Sequence, residues 1–320
     1  MKLLFITSTR IGDAVLSTAL LSHLIERYPE AEITIACGPA AAPLFAEIPQ
    51  VTRVIALEKR RIGMHWLVLW RQCWPIFWHL VVDLRASALS YFLMTRRRMV
   101  MRPNNGAVQH RLISLAELAR LPEPPAPRLW TGAARQSEAR KLLPEGPALA
   151  LGPTANWRGK QWPGENFAEL ARRLTAADGI LPGATIILLG AASERSEAAA
   201  AIDSLPAGQV LDLIGKLDLL TAAAVLARAD FYVGNDSGLM HIAAAAGVPT
   251  LGLFGPSREE HYRPWGSHCD IVRTDLKYDQ LVGGDGYDHK TTGSLMASLT
   301  VEKAENGARE LWNRVSGSNS

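Results

Sequence analysis

Cysteine is scarce in this chain: Cys37, Cys73 and Cys269 are the only three in 320 residues, and no two of them form a CxxC pair. An odd, scattered set provides neither a disulfide framework nor a zinc site and suits a reducing cytoplasm. The opening MKLLFITSTR goes straight into an apolar strand pattern, so no secretory signal is expected. Long apolar runs are missing as well. The most hydrophobic stretch, MHWLVLWRQCWPIFWHLVVDL, is interrupted by Arg71, Gln72, Pro75 and His79, whereas a membrane-spanning helix needs about 20 mostly apolar residues. The first strand-to-helix turn, within TSTRIGDAVLSTALL, has no GxGxxG, which argues against classical dinucleotide binding and a nicotinamide dehydrogenase. Low-complexity segments and short-period repeats are absent too.

What is present is a globular composition, 48% hydrophobic and 20% charged, in a chain long enough for two domains. In the first half LLFITS reads as a buried strand, GDAVLSTALLSHLIERYP as an amphipathic helix and EITIACG as a second strand. VTRVIAL, the helical MHWLVLWRQCW and HLVVDLR follow. The second half restarts with PALALGP and alternates strand and helix through ATIILLG, QVLDLIG, DFYVGN and PTLGLFG. Such alternation predicts α/β architecture with two Rossmann-like parallel sheets facing each other across a cleft. The expected domains are residues 1–145 and 146–320, with a proline-rich connector at 121–130 and a terminal helix over 301–315 capped by Thr300.

Ligands of open α/β sheets sit beyond the carboxyl ends of the strands, so the residues after each strand carry the chemistry. GNDSGLMHIAAAAG sets two glycines, a hydroxyl and free helix-start N–H groups where a phosphate can bind. Asp236 is the odd member there, because a carboxylate repels phosphate. It must turn onto backbone N–H groups, a ligand hydroxyl or a cationic side chain. In GPTANWRGKQWP, Thr154, Asn156, Arg158 and Lys160 form a polar, cationic loop, and Lys160 can neutralise a diphosphate leaving group, the task a metal performs elsewhere. Asp13 opens the first helix, where it either favours the helix dipole or acts as a base on an acceptor hydroxyl.

From Arg53 to Arg111 eleven Lys/Arg stand against Glu58 and Asp83, a local charge of +9 within a net charge of +3. An anionic partner fits this bias better than a merely solvated face. Trp66, Trp70, Trp74 and Trp78 recur every fourth residue. On a helix the first three form a stripe, which either packs on the sheet or lies at membrane headgroup level with Lys59, Arg60 and Arg61 beside it. Asp285, Asp288 and His289 have metal-ligand side chains, but a solvated glycine-rich loop is the better reading, and no metal site is expected.

NDSGLMHIAAAAGVPTLGLFGPS, RIGDAVLSTALL, WRGKQWP and LVVDLR together resemble glycosyltransferase family 9, the lipopolysaccharide heptosyltransferases. The resemblance implies a GT-B fold with an N-terminal acceptor domain and a C-terminal nucleotide-sugar domain. It implies inverting transfer with no obligatory metal or cofactor, the donor being a nucleotide sugar such as ADP-heptose. Asp13 then matches the general base and Lys160 the lysine near the donor diphosphate. Thr154, Asp236, Ser237, Gly238, Leu239 and His241 match the donor site. Arg60, Arg61 and Arg85 are the candidate contacts to an anionic lipopolysaccharide-core acceptor. The implied location is the cytoplasm, with peripheral contact to the inner membrane and no nucleic-acid partner. Leu220 stands where some members hold the ribose with a glutamate, which keeps another nucleotide sugar, used for surface polysaccharide, as an alternative. A nucleotide-sugar epimerase and a non-catalytic binding module on the same architecture are further alternatives.

Overall fold

Runs of β-branched and leucine residues bounded by turn residues form strands too apolar to face water on either side, and such strands suit parallel sheets covered by helices. The computed structural model, which describes residues 1–59, 61–102, 108–143, 145–283 and 292–317, contains two such sheets. The chain divides into one unit of residues 1–132 and a second from residue 133 onward. No helix among the described residues is long and apolar enough to cross a membrane.

The first unit contains β1 (Lys2–Ile6), α1 (Ile11–Arg27), β2 (Glu32–Cys37), β3 (Val51–Ala56), α2 (Met64–Cys73), β4 (Trp78–Asp83), β5 (Thr95–Val100) and α3 (Arg111–Ala119). Its strands lie in the order β3-β2-β1-β4-β5, all parallel, so the winding reverses between β1 and β4. Beyond that reversal a ligand crevice is expected. Leu4, Ile6, Val81 and Trp78 lie in a core that Leu69 and Cys73 of α2 help to close.

The second unit begins with α4 (Ala133–Leu142), β6 (Ala148–Gly152), α5 (Gly164–Thr175), β7 (Thr185–Leu188), α6 (Ala199–Ser204), β8 (Val210–Asp212) and α7 (Leu219–Leu226). It continues with β9 (Phe231–Asn235), α8 (Gly238–Ala245), β10 (Thr250–Phe254), α9 (Glu259–Tyr262), β11 (Cys269–Arg273), α10 (Tyr278–Val282) and α11 (Val301–Gly317). The parallel order β11-β10-β9-β6-β7-β8 is the doubly wound arrangement of a Rossmann sheet, with its reversal between β6 and β9. Thr300 caps α11 as its position suggests, its hydroxyl accepting from the Lys303 amide at 3.2 Å.

Some elements depart from the pattern read in the sequence. The stretch 193–205, expected as one helix, is a single 3-10 turn at Ala192–Glu194 followed by the short α6. β5 and β11 are edge strands, and both carry charged residues where a strand pattern requires apolar ones. Arg96, Arg97 and Arg98 are all exposed on β5, a composition that also protects an open sheet edge from pairing with another chain.

The three cysteines are buried free thiols. Loss of water raises each of their pKa values to about 12, with Arg53 opposing the rise at Cys73. Since the thiolate is the reactive form, a thiol reagent at about pH 8 should leave the native chain almost unlabelled. All three cysteines should then react on unfolding in urea. Fast labelling of the native protein would contradict this burial.

Candidate functional site

In the second unit, period-two alternation along β9 puts Tyr232 and Gly234 on one face of the sheet. Gly234 pairs with Gly152 of β6 across the point where the winding reverses. The Tyr232 ring lies over both glycines, and a Cβ at either position would overlap its hydroxyl. These two glycines therefore admit the ring. Burial pushes the Tyr232 phenol pKa upward. The neighbouring Ser237 hydroxyl opposes that rise. Among the described residues, the buried Tyr232 OH, Ser237 Oγ and Ser257 Oγ have no hydrogen-bond partner; Ser237 and Ser257 follow β9 and β10. Buried hydroxyls left this way are uncommon in proteins and are free to bond a polar ligand or water.

The turn after β9 is tied to the loop after β6 through two residues. Asn235 is fully buried, accepts from the Trp162 amide at 3.0 Å and donates to the Pro153 carbonyl at 2.9 Å. Next to it, Asp236 forms an ion pair of 2.5 Å with Lys160 Nζ, their side chains 7% and 23% exposed. The aspartate's unfavourable position beside a phosphate turn is resolved by this cation. An ammonium has three donors, so Lys160 keeps two for another acceptor. Ser237 is the N-cap residue of α8 but makes no side-chain cap bond, and the amides of the first turn remain suited to an anion. Gly238 and Leu239 lie in that turn, and His241 is buried one turn further on. Thr154 is buried, and its hydroxyl donates to Glu194 Oε2 at 2.8 Å. Its proton thus goes to the carboxylate that also caps the Ala191 amide at 2.9 Å.

In the first unit the two strands beside the reversal, β1 and β4, are followed by Asp13 and Arg85. Asp13 lies in the first turn of α1, where Ser8 Oγ donates to its Oδ2 at 3.4 Å. Arg85 follows β4. Its amide donates at 2.9 Å to the fully buried Asp83, which also accepts from the Ser87 amide and hydroxyl. The Arg85 guanidinium lies 4.7 Å from the centre of the Trp66 ring. Asp13 and Arg85 thus follow neighbouring strands of the first sheet, as Lys160 and Asp236 follow neighbouring strands of the second. Arg60, the side chain of Arg61, and Asp285, Asp288 and His289 lie outside the described residues. No cluster of three metal-ligating side chains occurs among the described residues.

The sequence profile of glycosyltransferase family 9 (heptosyltransferase) matches residues 83–285, well over half of the chain. This chain belongs to that family. Lipopolysaccharide heptosyltransferase 2 of Salmonella typhimurium is 27% identical over 327 aligned positions, covering 89% of this chain and 91% of that protein. The structure of Escherichia coli ADP-heptose lipopolysaccharide heptosyltransferase II superposes with a TM-score of 0.75 at 23% identity, over 99% of this chain and all of that one. Escherichia coli heptosyltransferase WaaC with ADP gives a TM-score of 0.71 at 19% identity, over 97% of this chain and 100% of that one. The fold is accordingly GT-B and the chain a glycosyltransferase. The family match includes Thr154, Lys160 and the whole turn after β9, whereas Asp13 precedes it.

Leu220 is buried in the first turn of α7, and Asp218, the N-cap of that helix, pairs with Arg135 at 2.6 Å. Leu220, expected at the ribose position, is thus a core residue of this helix. Three residues of this region escaped the sequence reading: Tyr232, Asn235 and Glu194. Glycines at the ends of two apolar strands were a readable signal for Tyr232, but only once the pairing of β6 with β9 is known. Gly152→Ala should lower stability by about 1–3 kcal/mol through overpacking against the Tyr232 ring, as read by urea unfolding. An unchanged midpoint would show that the ring is not held there.

Proposed function

We propose that this chain is an inverting heptosyltransferase that moves heptose from ADP-heptose onto the lipopolysaccharide core, acting at the cytoplasmic face of the inner membrane. The observation that carries the donor half is the Lys160–Asp236 pair beside the uncapped start of α8, whose Ser237 hydroxyl has no hydrogen-bond partner among the described residues. A nucleoside diphosphate needs this combination: one fixed cation, several N–H donors and hydroxyls that do not add negative charge. Relatives called lipopolysaccharide heptosyltransferase 2, and the WaaC structure with ADP, support the choice of sugar and nucleotide.

In this reading the first unit binds the acceptor and the second the donor. Asp13 takes the proton from the acceptor hydroxyl as its oxygen bonds to the anomeric carbon, and the bond from that carbon to the diphosphate breaks on the opposite side. Negative charge then grows on the departing ADP. Lys160 and the first-turn amides of α8 stabilise it, supplying the positive charge a metal provides in other transferases. Asp236 holds the ammonium in place, while Thr154 shapes the loop through Glu194. Gly238 lets the backbone approach the diphosphate, and Leu239 and His241 complete the wall of the donor site. Arg85, with Arg60 and Arg61, holds acceptor phosphates or carboxylates.

The donor is tested by thermal shift with ADP-, UDP- and GDP-sugars, followed by transfer onto delipidated core oligosaccharide. ADP-heptose at about one hundred times its Kd should stabilise the fold by about 2.7 kcal/mol. A stronger response to a UDP- or GDP-sugar would overturn the donor assignment.

Asp13→Asn should lower kcat by about 10²- to 10⁴-fold, with ADP-heptose still stabilising the protein. Near-normal turnover by the folded variant would remove Asp13 from the mechanism. Lys160→Met should lower kcat by about 10²- to 10³-fold, the size of loss seen when one fixed transition-state donor is removed. If only KM changed, the lysine would be binding the ground state alone.

A further inference from the structure

The helix α2, MHWLVLWRQC, has an unusual outward face. Helical spacing places Met64, Leu67 and Arg71 on one stripe, which continues to the C-cap residue Trp74, and all four are exposed. The opposite face, with His65, Leu69 and Cys73, is buried, and Trp66 and Trp70 are half-buried against the core. Trp78 lies in the core on β4, so the four-residue spacing of tryptophans does not form one continuous surface. Trp74 is 48% exposed and stacks on Trp70, their ring centres 5.7 Å apart. The next turn, residues 88–92, extends this apolar surface. The Trp70 indole N–H donates to the Phe92 carbonyl at 3.2 Å, while Tyr91 and Phe92 remain 65% and 73% exposed. Surface helices normally turn charged side chains to water, and this one presents methionine, leucine and tryptophan beside a tyrosine and a phenylalanine.

Cations surround this surface. Arg98 is fixed by its bonds to the Ser90 and Leu93 carbonyls, at 2.8 and 2.7 Å, which places it on the side of β5 facing that turn. Arg96, two residues earlier in the strand, shares that side. The guanidinium groups of Arg71 and Arg96 have no ion-pair or hydrogen-bond partner among the described residues. The acids of this part of the sequence are Glu58, which is exposed, and Asp83, which is fully buried.

We propose that this face, formed by the outer side of α2, the 88–92 turn and Arg96, docks on the surface of an anionic lipid bilayer. Aromatic and aliphatic groups enter the boundary between headgroups and acyl chains, and Arg71 and Arg96 pair with lipid phosphates. A second copy of the chain is a poorer occupant, because a symmetric contact brings the unpaired arginines of one face against those of the other. The inference extends the reading of a lipid-linked acceptor, but binding to vesicles needs neither donor nor acceptor, so the two can fail separately.

The test is co-sedimentation of the full chain with vesicles of phosphatidylcholine, with and without phosphatidylglycerol. Binding should require phosphatidylglycerol and weaken as salt is raised. Arg71→Gln with Arg96→Gln should lower the partition coefficient about twentyfold, and Trp74→Ser with Phe92→Ser by at least about tenfold. Thermal midpoints report whether the variants are folded, and transfer to delipidated acceptor should stay near that of the unaltered chain. Absence of binding to phosphatidylglycerol vesicles at low salt overturns the proposal, as does binding that ignores both pairs of substitutions. A dimer in sedimentation velocity that Trp74→Ser with Phe92→Ser dissolves would assign the face to a second copy instead.

Discussion

A carboxylate nearly sealed from water needs a cation, and at Asp236 that cation is Lys160. The geometry of the second unit's crevice depends on this pair. It draws the loop after β6 to the turn after β9, across the point where the order of the sheet reverses, and Asn235 fastens the same two segments through backbone groups. Without the lysine, the aspartate would repel any phosphate approaching α8. With it, the pair is close to neutral, and the amides of the helix start set the local field. The requirement is electrostatic first and only then a matter of shape.

The two units follow one plan with different contents. Each is a parallel sheet whose winding reverses beside its first strand, and each keeps its polar side chains on the turns that flank the reversal. In the first unit those turns carry an aspartate at a helix start and an arginine over a tryptophan ring. In the second they carry an ion pair, a serine hydroxyl without a partner among the described residues and an uncapped helix. The former suits deprotonating and holding an anionic acceptor, the latter suits a diphosphate.

Much of this was legible because period and punctuation agree in the central strands. Stretches such as ALALG and TLGLF are continuous apolar runs ending at glycine, proline or asparagine, and they are fully buried strands. Two of the four edge strands, β5 and β11, were not legible, whereas the edges β3 and β8 kept enough apolar residues to be read. TRRRMV has three successive arginines that water tolerates only at an edge, and no periodic signal identifies it as β structure. At the site, side-chain chemistry indicated Lys160 and Asp236 separately. Their pairing became visible only with the fold, because 76 residues separate them. Glu194 was unreadable for a similar reason: it reaches Thr154 across 40 residues from a turn that the sequence presents as helix.

The packing of Tyr232 across Gly152 and Gly234 also bears on how this crevice can change over generations. Two neighbouring strands have given up their side chains to one ring, so the three positions cannot drift independently. A lineage that enlarges either glycine while the ring remains loses stability, and one that has lost the ring gains room where it lay. The order of substitutions is thereby biased, and changes of shape at these two glycines begin most readily with the tyrosine.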